Sequence, residues 1–556
     1  MLGSGILSGV ENGCFFACSG CPAFVMLVFL VTAALVFPMY TSMFERLRLL
    51  LQGKLRSLIS GASMALYVAA LAGGGDAHAQ AAARVQNPSP VRGGAPASAS
   101  SQAQSVHALP AEVLQAWKAT KLPDASLSLV VHELGGPRLV SIGPTVPRNP
   151  ASVMKLVTTW AALSGLGPDY TWRTAFYARG DAQVDSEGTL VGPLYLKGGG
   201  DPLLTMHELW SLLRELRLRG VKNLSEVVID RSRFGNVGID PGAFDGAADR
   251  PYNASPDAMM VGLGTVRLVF MPDTTRRKWI PIVDPPMQGV RIQGAVEWSN
   301  ARCPGAPNVS TQTRQMGTEI LINVSGSVAG SCGEFSLYRL ALPQQQHFES
   351  IFRMLWKELG GTLARGVTEG RVPANARMLA WHDSETLADT IRLINKQSNN
   401  VMARTLLLTL GAELRSGAAT PATGAAAALD VLREQGVNVQ GWVLDNGSGL
   451  SRAGRVTADG MASMLEAAWR SPLMPEFMSS LAISGIDGTM RRRLRSDQTR
   501  GMAHLKTGTL RDSRALAGYV LGASGRRYIL VALINEERAA TTGKFLDTVV
   551  QWLAQR

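Results

Sequence analysis

Asn149-Pro150-Ala151-Ser152-Val153-Met154-Lys155-Leu156 is the stretch on which the reading of this chain turns. It has the marks of a helix start. Asn149 is a capping residue, Pro150 suits the first helical position, and residues 153–163 are largely apolar, as a buried helix requires. Ser152 then falls in the first turn, where N–H groups lack intrahelical partners and the dipole favours negative charge. Lys155, three residues on, shares a face with the Ser152 hydroxyl. A lysine enclosed by apolar side chains loses affinity for its proton, and the neutral amine can take one from a serine. The ordinary alternative is a lysine snorkelling to the surface beside a serine packed in a helix. S-x-x-K alone is too short a motif to exclude it.

Two further stretches change the balance. Lys396-Gln397-Ser398-Asn399-Asn400 contains an S-x-N, and His504-Leu505-Lys506-Thr507-Gly508-Thr509 contains a K-T-G. Each is weak alone. Together and in this order they match the set of serine acyl-enzymes that use a lysine base.

At 556 residues the chain is too long for one ordinary domain, and 46% hydrophobic content is ample for globular cores. The net charge of +12 suits an anionic partner such as nucleic acid, a membrane or a cell-wall polymer. No zinc-ligand spacing, Walker loop or basic-aromatic run supports nucleic acid.

The front of the chain reads as a targeting region. From Met43, Arg46, Arg48, Lys54 and Arg56 precede an apolar run over 58–71, and Ala77-His78-Ala79 is a small-x-small cleavage site. Residues 43–79 are therefore expected to be a secretory signal peptide, with export to the periplasm and a membrane association left open. The earlier apolar run, 23–37, is short for a membrane span. Residues 1–42 read as translation from a start codon set too far upstream or as an anchor; the complete signal at Met43 favours the former. Cys14, Cys18 and Cys21 resemble a radical iron–sulfur spacing, but no domain surrounds them ahead of the export signal. Cys303 and Cys332 remain after cleavage, and an even pair in an exported chain suggests one disulfide.

Residues 80–106, rich in Ala, Ser, Gly, Pro and Gln, are expected to be a flexible linker. Beyond it, 110–120 reads as helix, and 126–132 with 138–142 as a strand pair. The Ser152 helix ends near Gly165-Leu166-Gly167. From 171 the character changes to short β-like segments at 190–197, 226–230, 265–270, 289–298 and 318–325, parted by turns such as Gly198-Gly199-Gly200-Asp201-Pro202. Helices are expected at 344–359, 384–410, 425–435, 457–470 and 541–553, with a hairpin over 515–521 and 528–535. Ser152 and Ser398 are 246 residues apart, but Ser398 and Lys506 only 108. The long gap holds a domain-sized β-rich block, so the catalytic domain is expected at 107–170 and 376–556. The insertion occupies 171–375 and has room for two nested domains.

The chain resembles the D-alanyl-D-alanine carboxypeptidase/endopeptidases, the class C low-molecular-mass penicillin-binding proteins of the penicillin-binding protein 4 type. The likeness runs from about residue 107 to the end. Besides the three motifs it includes LKGGGDPL at 196–203, Tyr252-Asn253-Ala254-Ser255-Pro256, DNGSGLSR at 445–452 and Gly485-Ile486-Asp487-Gly488-Thr489. It implies an α+β fold, a serine β-lactamase/transpeptidase-like domain of antiparallel sheet flanked by helices, with a large β-rich insertion. It further implies a periplasmic serine peptidase acting on the D-Ala-D-Ala peptide of peptidoglycan, inhibited by β-lactam antibiotics and needing no cofactor or metal. The oligomeric state is not indicated.

By chemistry and resemblance, Ser152 is the expected nucleophile and Lys155 its base. Ser398 relays a proton to the leaving amine, and Asn400 holds the peptide amide and the Lys155 ammonium. Lys506, Thr507 and Thr509 bind the substrate carboxylate. The N–H groups of Ser152 and Thr509 form the oxyanion hole, and Gly508 lets the strand approach the ligand. Asn399 departs from the Asp of many relatives. Ser448, in Gly447-Ser448-Gly449, lacks the G-x-S-x-G frame and reads as a loop residue. His504 reads as structural on an exposed edge strand. A serine β-lactamase on the same fold is the alternative. It needs a second base, yet Glu413, Glu434, Glu466 and Glu476 all lack an E-x-x-L-N setting. A catalytically idle wall-binding module would not need Ser152, Lys155, Ser398, Asn400 and Lys506 together.

Overall fold

The computed structural model describes residues 104–556 apart from Gln288, Ala306 and Thr318. The expected signal peptide, the upstream apolar run and most of the expected linker lie outside the described residues. In chain order, helix α1 (Ala111–Thr120) leads into the hairpin β1 (Leu127–Glu133) and β2 (Arg138–Ile142), then α2 (Met154–Leu166). Next come β3 (Arg173–Arg179), β4 (Leu194–Lys197), α3 (Met206–Leu218), β5 (Asn223–Leu224), β6 (Val227–Asp230), β7 (Val266–Asp273) and β8 (Lys278–Asp284). β9 (Val290–Gly294), β10 (Glu297–Ser299), β11 (Asn308–Met316), β12 (Glu319–Ala329), β13 (Phe335–Arg339) and α4 (Gln344–Glu358) follow. β14 (Thr362–Leu363), β15 (Val367–Glu369) and β16 (Ala376–Asp383) complete the middle of the chain. The last third holds α5 (Leu387–Gln397), α6 (Asn400–Leu414), α7 (Pro421–Glu434), α8 (Ala458–Arg470) and α9 (Met474–Ser480). It ends with β17 (Ala482–Ile483), β18 (Ala503–Leu510), β19 (Ser513–Leu521), β20 (Arg527–Asn535) and α10 (Gly543–Ala554).

One six-stranded sheet, ordered β17-β18-β19-β20-β1-β2, is covered on both faces. The sequence of β20 shows why its strand is apolar without alternation. Ile529, Val531 and Leu533 enter one core with α2, while Tyr528, Leu530, Ala532 and Ile534 enter another with α1 and α10. Trp117 of α1 meets Phe545 of α10 edge-on at 5.0 Å between ring centroids, closing the second layer. Every residue of α2 from Met154 to Leu163 is buried. A helix apolar all round belongs inside a core, and α5, α6, α7, α8 and the sheet enclose it. That enclosure sets Ser152, just before α2, at the centre of the molecule's helical layer.

The insertion is a second core with its own sheets. A five-stranded sheet runs β15-β6-β4-β3-β16, a three-stranded one β13-β7-β8, and β12 carries β11 on one edge and β9 and β10 on the other. β14 and β5 form a short parallel pair. Helices α3 and α4 pack beneath these sheets. Helix α3 departs from the expected β-rich pattern; Thr205 and Glu208 form its capping box. β11 was also not foreseen. Its sequence, NVSTQTRQM, buries only Val309, and its strand form comes from pairing along its whole length with β12, from Asn308↔Ser327 to Met316↔Glu319.

Two boundaries differ from the expected ones. β16 pairs with β3, so residues 376–383 belong to the insertion's sheet and the catalytic part resumes at the α5 cap, Thr386. At the front, Gln104 donates its backbone N–H to the Ser141 carbonyl and accepts from the Ser141 N–H, so the chain is engaged before residue 107. Cys303 and Cys332 are disulfide-bonded.

Candidate active site

Ser152 lies in a 3₁₀ turn, Ala151–Val153, that opens into α2. Its neighbour Ala151 is buried with φ +45°, a backbone state that non-glycine residues seldom adopt. Asn149 holds the turn in that state. Its Oδ1 accepts from Ala151 N at 2.9 Å, and its Nδ2 donates to the Ser451 carbonyl at 2.8 Å. Its carbonyl accepts from Ser513 Oγ and Asn535 Nδ2, both at 2.9 Å. The expected cap residue is therefore a clamp between the turn, the ends of β19 and β20, and the 445–452 loop.

Lys155 is fully buried, and its Nζ stands 2.6 Å from Asn400 Oδ1, 2.6 Å from the Ser448 carbonyl and 3.2 Å from Ser152 Oγ. The first two partners are acceptors that absorb two N–H groups. In the neutral amine the lone pair is then left for the Ser152 hydroxyl, which donates to it. Burial pushes the Lys155 pKa well below its usual value, and the neighbouring charges of Lys506 and Arg404 push the same way.

The second motif is a break between two helices. Ser398 ends α5 in the left-handed region, φ +57°, and Asn399 caps α6 by accepting from Met402 N at 3.1 Å. Asn and Asp are equally good caps, so the departure at Asn399 leaves that role intact. Asn400 then begins α6 and reaches Lys155. The third motif is half an edge. β17 pairs with His504 and Leu505 but stops before Lys506, so the K-T-G half of β18 is paired only with β19. Lys506, fully buried, donates to Ser398 Oγ at 2.8 Å and to the Thr507 carbonyl at 2.9 Å; burial lowers its pKa to about 7. Thr507 Oγ1 meets Thr489 Oγ1 at 2.9 Å, and Thr509 is exposed. Lys155 at the start of α2 thus meets Ser152 and Asn400, and Lys506 of β18 meets Ser398 at the α5–α6 junction.

Some expectations need correction. Gly508 also answers to the protein's own backbone, since a Cβ there would stand 2.5 Å from the Pro150 carbonyl. His504 is not on an open edge, since β17 covers it, and burial lowers its pKa. Ser448 lies in a loop as expected, but its backbone serves the site. It is fully buried, its carbonyl holds Lys155, and Gly449 beside it has no room for a Cβ, which would lie 1.8 Å from the Ala151 carbonyl. Arg404 was overlooked. One turn beyond Asn400 and almost fully buried, it donates to the carbonyls of Tyr252 and Ala254 at 3.2 and 3.0 Å and ties the insertion to α6. Burial lowers its pKa to about 10.

Two of the four glutamates weighed for a β-lactamase-like base are held by partners of their own. Glu413 is bound by Arg233 and Tyr170, and Glu466 by Arg470 and His132. Glu434 ends α7, and Glu476 lies in the first turn of α9. Among the described residues no group of three His, Cys, Asp or Glu side chains could hold a metal, and no helix is long and apolar enough to cross a membrane.

A model of the D-Ala-D-Ala carboxypeptidase 3 (S13) family matches residues 111–556. The D-alanyl-D-alanine carboxypeptidase of Actinomadura sp. (strain R39) is 30% identical over 391 residues, 68% of this chain and 71% of that protein. D-alanyl-D-alanine carboxypeptidase DacB of Haemophilus influenzae is 26% identical over 392 residues, 69% of this chain and 80% of that one. The crystal structure of penicillin binding protein 4 (dacB) from Haemophilus influenzae superposes with a TM-score of 0.66 at 24% identity, covering 80% of this chain and 99% of that one. The shared architecture is the α+β, transpeptidase-like fold.

Proposed function

The chain belongs to the D-Ala-D-Ala carboxypeptidase 3 (S13) family, and from that membership we propose that it is a serine peptidase cutting the D-Ala-D-Ala peptide of peptidoglycan through an acyl-enzyme on Ser152. The observation that carries the residue roles is the set of contacts on Lys155, whose two carbonyl partners leave only the serine for its lone pair. Neutral Lys155 takes the Ser152 proton as Oγ attacks the peptide carbonyl carbon. The oxyanion is held by the N–H groups of Ser152 and Thr509. When the tetrahedral intermediate collapses, the C–N bond breaks and the leaving amine takes that proton from the Lys155 ammonium through Ser398, which Lys506 touches, so that Lys155 is neutral again. Lys506, Thr507 and Thr509 receive the carboxylate of the leaving residue. Water then attacks the ester, giving a proton to neutral Lys155, which passes it to Ser152 Oγ as the ester C–O bond breaks.

The leaving group decides the reaction name. A terminal D-Ala makes the enzyme a carboxypeptidase, and the amine of a cross-linked peptide makes it an endopeptidase. The active chain works outside the cytoplasm, in the periplasm. The signal-like segment 43–79 and the Cys303–Cys332 bridge support that placement. β-Lactam antibiotics, which present a strained amide beside a carboxylate, are inhibitors. Incubation with cross-linked muropeptides, followed by separation of the products, tests the reading. Free D-Ala or uncoupled monomers are expected, and unchanged muropeptides would overturn it.

A further inference from the structure

One basic segment follows the turn that touches the K-T-G strand. After the 3₁₀ turn Gly488–Met490 the chain reads Arg491-Arg492-Arg493-Leu494-Arg495-Ser496-Asp497-Gln498-Thr499-Arg500, five arginines against one aspartate. The loop is firmly rooted. Met490, Leu494 and Thr499 are buried, and the Thr499 carbonyl accepts from Ser484 Oγ at 2.6 Å. Arg493 donates from Nε and Nη2 to Asp547 of α10 at 3.0 and 2.7 Å. Arg491, Arg492, Arg495 and Arg500, by contrast, are exposed and have no side-chain hydrogen-bond or ionic partner among the described residues.

The anchors fix the backbone that carries these arginines near β18. Thr489, two residues before Arg491, hydrogen bonds Thr507 of the K-T-G. A Cβ on Gly485 would lie 3.2 Å from both Arg495 Cα and Arg500 Cγ, so these two flank the turn whose Asp487 pairs with Lys396 at 2.5 Å. A solvated basic face is the ordinary reading of such a run. Here, though, the backbone is fixed by buried neighbours, so holding four unpaired cations in one place needs little further ordering when a partner arrives.

We propose that Arg491, Arg492, Arg495 and Arg500 form a rim that grips carboxylates on the peptidoglycan peptides next to the one being cut. The proposal rests on the peptidase reading of the site. Peptide arms repeated along a glycan make the wall polymer a polyanion, and guanidinium pairs with carboxylate in a two-pronged geometry. Each exposed ion pair is weak, so the rim works by number, on a multivalent substrate.

The test is sedimentation of the full chain with purified insoluble cell wall. Raising NaCl from about 0.05 M to about 0.5 M should weaken wild-type binding about tenfold, because screening shortens the range of exposed charges. The variant Arg491→Gln/Arg492→Gln/Arg495→Gln/Arg500→Gln should bind about tenfold more weakly at low salt and respond little to more salt. A variant that binds like wild type, with the same salt dependence, would overturn the rim. So would tighter wild-type binding to phosphatidylglycerol vesicles than to wall, since the arginines would then serve a membrane. Benzylpenicillin labelling, read on both proteins, separates the two claims. Labelling absent from both counts against the Ser152 reading, while the sedimentation result still decides the rim.

Discussion

The backbone carbonyl of Ser448 lies 2.6 Å from Lys155 Nζ, a contact that spans 293 residues of chain. It fixes the direction in which the amine can act. With Asn400 Oδ1 taking a second N–H, Lys155 and Ser152 form one proton-transfer unit. Ser152→Ala and Lys155→Ala should each abolish acylation, and the double variant should be barely worse than either. Groups acting as one unit lose activity non-additively, and multiplying losses would separate the two residues.

The same burial makes the reaction depend on pH from both sides. Lys155 has to be neutral, so kcat/KM should fall as pH drops through its lowered pKa. Lys506 binds a carboxylate best when charged, so activity should also fall as pH rises past about 7. A pH profile with only one limb would remove one lysine from this scheme. For stability the sign is the reverse of a salt bridge. Between about 7 and the usual lysine value the unfolded chain holds a proton on residue 506 that the folded chain lacks, so stability contributed here rises with pH. At pH 7, Lys506→Met should therefore raise the melting temperature, by ~1 kcal/mol of stability after the loss of its bonds to Ser398 and Thr507, while weakening substrate binding.

Gly449 cannot carry a side chain without moving the turn that holds Ser152. Its φ is +76° and a Cβ would meet the Ala151 carbonyl. Gly449→Ala should cost on the order of 2 kcal/mol and slow acylation at least about tenfold. Chemical denaturation and penicillin-labelling rates on the same protein check the two effects together.

Thiol titration of denatured, unreduced mature protein should find no free sulfhydryl, since Cys303 and Cys332 are bonded. Removing the bridge by Cys303→Ser/Cys332→Ser should destabilise the insertion by roughly 3 kcal/mol on the loop-closure argument. An unchanged unfolding midpoint would assign the bridge no role in stability.

Benzylpenicillin should leave a single adduct on the Ser152 peptide, absent from Ser152→Ala. The opened ring stays tethered where water would enter. Glu413 and Glu466 are held in ion pairs of their own rather than beside the serine. Mass spectrometry showing fast turnover with nothing trapped would favour a β-lactamase instead.

The three motifs were legible because each is local. A serine and a lysine one turn apart, a capped helix break and a glycine-bearing strand carry their geometry in adjacent residues. The Ser448 contact was not legible, because its working atom is a backbone carbonyl and any side chain would present it. β11 was hidden for a related reason, since the polar run 308–316 becomes a strand through its partner rather than its own pattern. The boundary at 376 failed because β16 is paired with a strand some 200 residues earlier. Helix α3 was the avoidable miss, for Thr205 and Glu208 announce its start.

β1 lies between β2 and β20, with Leu127 opposite Ile534. The first strand of the sheet therefore waits for nearly the last, while the insertion between β3 and β16 is built from one uninterrupted run of chain. The core around the reactive serine needs strands from both ends of the described chain, whereas the insertion's sheets draw on residues 173–383 alone. Contacts between distant parts of a chain carry the largest closure entropy and form slowly. A chain cut short before β20 would keep a folded middle and all three motifs yet bind no penicillin.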